Sequence, residues 1–151
     1  MQNIVFKLLA NENRPVAILE DFHNVYAMID TGSVLPVWCG KERVIRKYGA
    51  KKILDEVEFG GFGGMTKGKL YQMPVFNFGG LIFPHMNIIL HEGFSVTTPL
   101  ILPATIFNNL IFEINNKLHT LKITVPDGES NVRNFIIREE GGHLRVLVGN
   151  A

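Results

Sequence analysis

VYAMIDTGS, residues 25–33, joins an apolar run to an acidic turn. Residues 25–29 are predicted to form a buried strand, and Asp30 falls at its end. A carboxylate there is costly to desolvate unless a neighbouring group hydrogen-bonds it or shares its charge. Carboxylates placed in this way are candidates for acid–base chemistry. Because Asp-Thr-Gly-Ser occurs once, each chain supplies one such group.

The composition is that of one globular domain. The chain has 151 residues, 46% of them apolar, and a formal net charge of +1. A chain of this length and apolar content can bury one sizeable core and is not disordered. The near-neutral charge gives no electrostatic reason to expect a nucleic-acid partner. The only basic cluster, at 41–52, also contains acidic and apolar residues, and we interpret it as a solvated face.

The compartment is inferred from cysteine use and from the N-terminal sequence. Cys39 is the only cysteine, so no intrachain disulfide can form. The N-terminal residues lack the basic and long apolar regions of a secretory signal. The apolar stretches are also much shorter than the ~20 residues that a membrane span needs. We therefore expect a soluble, cytoplasmic protein with no membrane partner.

Most periodic segments have strand character, so the chain is predicted to be mainly β and to form a single domain over residues 1–151. A hairpin is predicted with its turn at residues 115–117. Residues 134–138 and 144–148 flank a second turn, which predicts an extra C-terminal β-hairpin at about 133–149.

Two short helices are also expected. Val44, Ile45 and Tyr48 have helical spacing, and Gly49 suits a helix C-terminus, so one helix is placed within residues 41–48. Pro103 fits the first turn of a second short helix.

Each residue of the acidic turn has a possible role. Thr31 offers a hydroxyl that could lock the turn, and Ser33 could hydrogen-bond the Asp30 carboxylate. Gly32 has no Cβ, which would let two such turns approach closely. The alternative is a plain strand-to-turn junction, because Asp, Gly and Ser are common in turns.

A glycine-rich segment, Gly60-Gly61-Phe62-Gly63-Gly64-Met65, follows about thirty residues later between strand-like stretches. Glycines allow unusual dihedral angles and hinge motion, so the segment is predicted to be a mobile hairpin. A plain glycine-rich hairpin tip is the alternative. A phosphate-binding loop is less well supported, because Lys67 is followed by Gly68 and not by Ser or Thr.

With hydrophobic residues on both sides, Asp30-Thr31-Gly32-Ser33 resembles the active-site signature of aspartic proteases. Its single occurrence in a short chain resembles the retropepsin-like branch, which implies an acid-protease β-barrel with one or two short helices. The resemblance implies that the glycine-rich segment is the flap that closes over substrate, with Phe62 and Met65 covering it. It covers roughly residues 16–112.

A third landmark lies at Leu100-Ile101-Leu102-Pro103-Ala104-Thr105. In the corresponding region retropepsins carry two hydrophobic residues and a Gly, followed by a helix that closes a loop beside the catalytic turn. This chain has Pro or Ala where the family has that Gly.

The mechanism that the resemblance implies needs two carboxylates, one to activate water and one to protonate the carbonyl oxygen. Two aspartates side by side share one proton, because both cannot ionise. The second Asp30 must then come from another copy, which implies a homodimer with one shared site. This chemistry requires no cofactor and no metal, so Cys39 and the five histidines are expected to be bystanders.

Three hypotheses remain open from the sequence. The first is an aspartic endopeptidase that acts on a peptide or protein substrate as a homodimer. The second is a catalytically inactive module of the protease fold that binds extended peptides, which the substituted glycine supports. The third is a β-barrel ligand-binding protein unrelated to proteases.

Overall fold

The structure is a computed structural model that describes residues 1–10, 12, 14–61, 64–92 and 97–151. Within these ranges the chain is mainly β, as predicted. Of the expected flap residues, Phe62 and Gly63 lie outside the described residues. The strands are β1 (Gln2–Lys7), β2 (Val16–Leu19), β3 (Val25–Asp30), β4 (Val37–Trp38), β5 (Lys51–Gly61), β6 (Gly64–Met73), β7 (Phe76–Phe78), β8 (Leu81–Phe83), β9 (Met86–Leu90), β10 (Leu100–Pro103), β11 (Ile111–Asn115), β12 (Thr120–Val125), β13 (Arg133–Glu140) and β14 (His143–Asn150).

A seven-stranded sheet positions Asp30. Its strand order is β2-β3-β10-β4-β9-β6-β5. In β3, Val25, Ala27 and Ile29 are buried while Tyr26 is exposed, the alternation expected of a pleated strand. β10 runs parallel to β3 and antiparallel to β4. A strand from far along the chain is thus inserted between two consecutive strands, and its end lies beside the turn that follows β3.

The expected closed barrel is wrong for this structure. The described strands form four separate sheets, and the two edges of the large sheet, β2 and β5, do not pair with each other. Among the described residues, β2 meets the β1-β12-β11 sheet through an isolated bridge between Leu8 and Ala17. β5 pairs with β6 alone and has register shifts between Lys52 and Val57. Such irregularities increase the twist of an edge strand and can carry it away from a closing partner.

The helices are one α-helix and one short 3-10 helix in the described ranges. The α-helix α1 (Glu42–Lys47) ends before Gly49, whose φ of 95° ends the helical path. The second, Ala104–Phe107, begins after Pro103. The expectation that Pro103 lies within its first turn is wrong, because Pro103 has a ψ of 158° and ends β10. Neither helix is long and apolar enough to cross a membrane.

The C-terminal hairpin, β13 and β14, packs on its own chain. Phe135 and Ile137 on β13 are buried in the core. The buried side chain of Asn87 on β9 accepts a hydrogen bond from the Ile137 backbone N–H at 2.8 Å. Because this bond joins residues fifty positions apart, the hairpin is held against the large sheet by a polar contact as well as by apolar packing.

Candidate active site

Asp30 is the last residue of β3, and its backbone lies beside Pro103 of β10. Its side chain is half-buried. The Gly32 backbone N–H donates to Asp30 Oδ1 at 3.0 Å, and the Ser33 N–H donates to the Asp30 carbonyl at 3.2 Å. These two bonds fold the chain back at the end of the strand and fix the direction of the carboxylate.

The Ser33 hydroxyl has a different partner from the one predicted. Ser33 Oγ donates to the Leu35 carbonyl at 2.9 Å, and not to the Asp30 carboxylate. Thr31 is exposed. A hydroxyl from a distant segment stabilises the turn: Thr105 Oγ1 donates a hydrogen bond to the Val34 carbonyl at 2.7 Å. The segment after β10 therefore closes the loop beside Asp30 without the glycine found in the family.

Gly32 is exposed and is not required by the packing of its own chain. A Cβ built on Gly32 would come no closer than 3.4 Å to another atom, and that atom is Asp30 Oδ1. This is an ordinary van der Waals distance. Any steric need for glycine at this position must come from a molecule that approaches the turn from outside.

A cleft of about 880 Å³ lies over Asp30. Its floor is the acidic turn, and a second side is the β5–β6 hairpin. Of the predicted flap residues, the structure brings Gly60, Gly64 and Met65 to this cleft. Gly61 is placed at the end of β5. The predicted flap and the predicted catalytic turn therefore face one cavity.

The base of the β5–β6 hairpin is tightly packed. A Cβ on Gly68 would lie 2.7 Å from the Leu90 carbonyl oxygen and 2.8 Å from Ile89 Cγ2, so only glycine fits there. His91 Nδ1 lies 3.1 Å from the Lys67 carbonyl oxygen, and its ring stands edge-on to Phe59 at 5.8 Å. This close contact ties β6 to β9 where the hairpin leaves the sheet.

The sequence reasoning assigned no part of the C-terminal hairpin to the site. Gly142, His143 and Leu144 of the C-terminal hairpin form a further wall of the cleft. The Gly-Gly pair signals a hairpin turn, but no local pattern shows where that turn lies in space. Cys39 and His91, which were expected to be bystanders, also line the cleft.

A second cavity of about 810 Å³ also borders Asp30. It is bounded by residues of the β1–β2 connection, β3 and the β11–β12 turn, among them Arg14, Met28 and His119. Asp30 and Thr31 line this cavity, and Asp30 is shared by both. Asp30 therefore borders two cavities.

The other ionisable groups have distinct roles. Burial raises the pKa of the Cys39 thiol to about 11, so this wall of the cleft stays uncharged. Hydrogen bonds from Tyr71, Lys69 and Arg46 lower the pKa of Glu42 to about 2 and tie α1 to β6. Within the described residues no group of three or more His, Cys, Asp or Glu side chains is arranged to hold a metal ion.

Comparison with known proteins identifies the fold. No family model and no curated protein sequence matches the chain. The chain is similar to the crystal structure of a retropepsin-like aspartic protease from Rickettsia conorii, with a TM-score of 0.51. The two are 16% identical over 81% of this chain and 89% of that one. The chain therefore has a retropepsin-like fold, and at this identity the likeness concerns the fold alone.

Proposed function

We propose that the chain is an aspartic endopeptidase that acts as a homodimer, with one active site built from the Asp30 of each copy. The observation that carries the proposal is the place of Asp30. The carboxylate is half-buried at the floor of a cleft, is oriented by the Gly32 N–H, and faces the glycine-rich β5–β6 hairpin. The retropepsin-like fold supports it.

The chemistry needs a base and an acid within reach of one peptide bond. In the proposed dimer a two-fold axis passes between the two Asp30 carboxylates, which share one proton. The ionised carboxylate takes a proton from a water molecule as it attacks the carbonyl carbon. The protonated carboxylate gives its proton to the carbonyl oxygen. The C–N bond of the tetrahedral intermediate then breaks as the amine nitrogen takes the proton that the base received from water. One hydroxyl of the intermediate returns its proton to the other carboxylate, and no covalent link to the protein forms.

The substrate in this proposal is an extended peptide between the acidic turn and the β5–β6 hairpin. Peptides that bind in this way pair their backbone with exposed strand groups and place side chains in flanking pockets. The exposed Met65 would lie over the peptide.

The second candidate is a catalytically inactive module that binds extended peptides in the same cleft. Pro103 favours it, because this residue lies beside Asp30 and has no backbone N–H to donate. The two candidates share the cleft and the ligand and differ only in turnover.

Turnover tests the proposal directly. The protein is incubated with a diverse peptide library at several values between about pH 4 and pH 7, because turnover requires a pH at which the pair holds one proton. Asp30→Asn is expected to lower cleavage by at least about a hundredfold, since it removes the general acid–base group. Asp21→Asn, in an exposed turn, is the matched control and should cleave as wild type does. Cleavage that survives Asp30→Asn would refute the role of Asp30.

Mixing tests whether the site is shared. Wild-type protein is refolded with a ninefold excess of Asp30→Asn protein. If chains pair at random, activity per wild-type chain falls to about one tenth, because most wild-type chains receive an inactive partner. Unchanged activity per wild-type chain would show that one chain suffices.

A further inference from the structure

The turn of the C-terminal hairpin lines the same cleft as the β5–β6 hairpin. Gly142, His143 and Leu144 line the same cavity as Asp30. We infer that this turn selects the peptides that enter the cleft. Leu144 receives a bulky apolar side chain, and His143 hydrogen-bonds the peptide at the rim. The inference rests on the proposed function in one respect, namely that the ligand is an extended peptide in this cleft.

The turn has a defined conformation. The last pair of the hairpin is Glu140 with His143, which leaves Gly141 and Gly142 as the two turn residues. Their φ angles are 58° and 80°. Two-residue turns with positive φ at both positions match the twist of the flanking strands. The hairpin therefore ends in a compact, specified tip and not in a long loop.

The arm that carries the turn is held firmly. Phe135 and Ile137 are buried, and Ile137 is hydrogen-bonded to Asn87 in the core. Val148 and Val146 pair with Phe135 and Ile137 across the hairpin. They therefore lie on the same face of the hairpin as these two residues and also pack against the core. Leu144 follows on that face, where it is half-buried and also reaches the cleft. A side chain held in this way can discriminate among ligands by shape.

The surroundings of Leu144 favour an apolar ligand group. Among the described lining residues there is no Lys or Arg, and Asp30 and Glu58 are carboxylates. An acidic peptide side chain would therefore meet like charge. The remaining walls are largely aliphatic or aromatic, from residues Val34, Leu35, Val37, Phe59, Met65 and Ile101.

Peptide binding without turnover tests the inference. In an Asp30→Asn background, fluorescein-labelled decapeptide pools with one position fixed as Leu, Phe, Ala or Asp are titrated by fluorescence anisotropy. Leu144→Ala is expected to weaken the Leu and Phe pools about tenfold, and the Ala pool less than twofold, because only a large side chain loses contacts. His143→Ala is expected to weaken the Leu, Phe and Ala pools by a similar factor, and His143→Gln to restore binding in part.

Leu147→Ala is the matched control. Leu147 is a half-buried leucine on the same strand, it faces the other side of the hairpin from Leu144, and it does not line the cleft. Its substitution should leave the preference for Leu over Ala unchanged. Thermal melts of both variants establish that each is folded. An unchanged preference in Leu144→Ala, an equal change in Leu147→Ala, or no binding of any pool would overturn the inference.

Cleavage assays on the protein with Asp30 intact separate this inference from the proposed function. If peptides bind with a preference that depends on Leu144 but are not cleaved, the endopeptidase proposal is refuted and the role of the hairpin turn in peptide selection stands. If peptides are cleaved with the same preference in wild type and in Leu144→Ala, that role is refuted and the endopeptidase proposal stands.

Discussion

Arg133 at the base of the C-terminal hairpin is fully buried, and its replacement by Met tests how the hairpin is anchored. Its Nη2 donates to the Asn108 carbonyl at 2.6 Å, just beyond the 3-10 helix. Its Nη1 donates to Glu129 Oε2, the Ser130 carbonyl and Asn150 Oδ1, at 3.1 to 3.2 Å. One side chain thus joins the start of β13, the end of β14 and the segment that follows β10.

Met fills much of the same space but donates no hydrogen bond. Removing one partner of a buried ion pair costs about 3–5 kcal/mol. Glu129 retains 24% side-chain exposure, so water can solvate it after the substitution. We therefore expect the lower end of that range, about 3 kcal/mol. For a domain of this size, that loss lowers Tm by roughly 6–12 °C.

Thermal unfolding followed by circular dichroism measures this effect, and urea unfolding gives the free energy independently. Arg138→Met is the matched control, since Arg138 lies on the same strand and is exposed. It should leave Tm nearly unchanged. Arg133→Lys keeps a charge but loses the fork of donors, and should fall between wild type and Arg133→Met. Equal Tm values for Arg133→Met and Arg138→Met would refute the idea that this residue anchors the hairpin.

Three further substitutions or reagents test other parts of the molecule. The pKa of Glu42 is about 2 in the folded chain and ordinarily 4.5, so its contribution to stability is present above pH 4.5 and lost as the pH falls towards 2. Urea midpoints across that range should fall less in Glu42→Gln than in wild type, whereas Glu113→Gln, which removes an exposed ion pair with Lys122, should behave as wild type. Gly68→Ala should cost about 1–3 kcal/mol of unfolding free energy by overpacking against Leu90 and Ile89. Gly60→Ala, which meets no atom within 4 Å, should cost almost nothing, and equal losses would contradict the packing argument. Because burial moves the pKa of Cys39 from 9.0 to about 11, a thiol reagent should react about a hundredfold more slowly with folded than with urea-unfolded protein. Comparable rates would show that the cleft exposes the thiol.

The parts of the site that could be predicted are those with a local cause. The apolar run at residues 25–29 and the single acid after it placed Asp30 at a strand end, where the structure has it. The helical spacing of Val44, Ile45 and Tyr48 likewise predicted α1. Ser33 was given the wrong acceptor, because a hydroxyl beside a turn has several carbonyls within reach. The sequence could not show that Thr105, seventy-one positions after Val34, would hydrogen-bond the turn and hold it in place.

The long-range arrangement had no local signal at all. The barrel does not close, since β2 and β5 are edge strands of the large sheet, and nothing local in the sequence marks the register shifts of β5. The C-terminal hairpin was recognised from its strands and its Gly-Gly turn. That its tip lines the cleft depends on contacts such as that of Ile137 with Asn87, which only the folded chain brings together.

The two glycines Gly32 and Gly68 differ in what explains them. Glycine is required at position 68 by packing within the chain, because a Cβ there would collide with the Leu90 carbonyl oxygen. Gly32 is not, since a Cβ there meets only Asp30 Oδ1 at 3.4 Å and its φ is not positive. If a second copy or a peptide approaches the Asp30 turn, Gly32→Ala should leave the Tm of dilute protein unchanged or slightly raised, because Ala restricts the unfolded chain. The same substitution should weaken dimerisation in sedimentation equilibrium and lower cleavage. If Gly32→Ala lowers Tm as much as Gly68→Ala does, then glycine is required at position 32 by packing within the chain. If Gly32→Ala dimerises and cleaves as wild type does, then nothing approaches this turn closely.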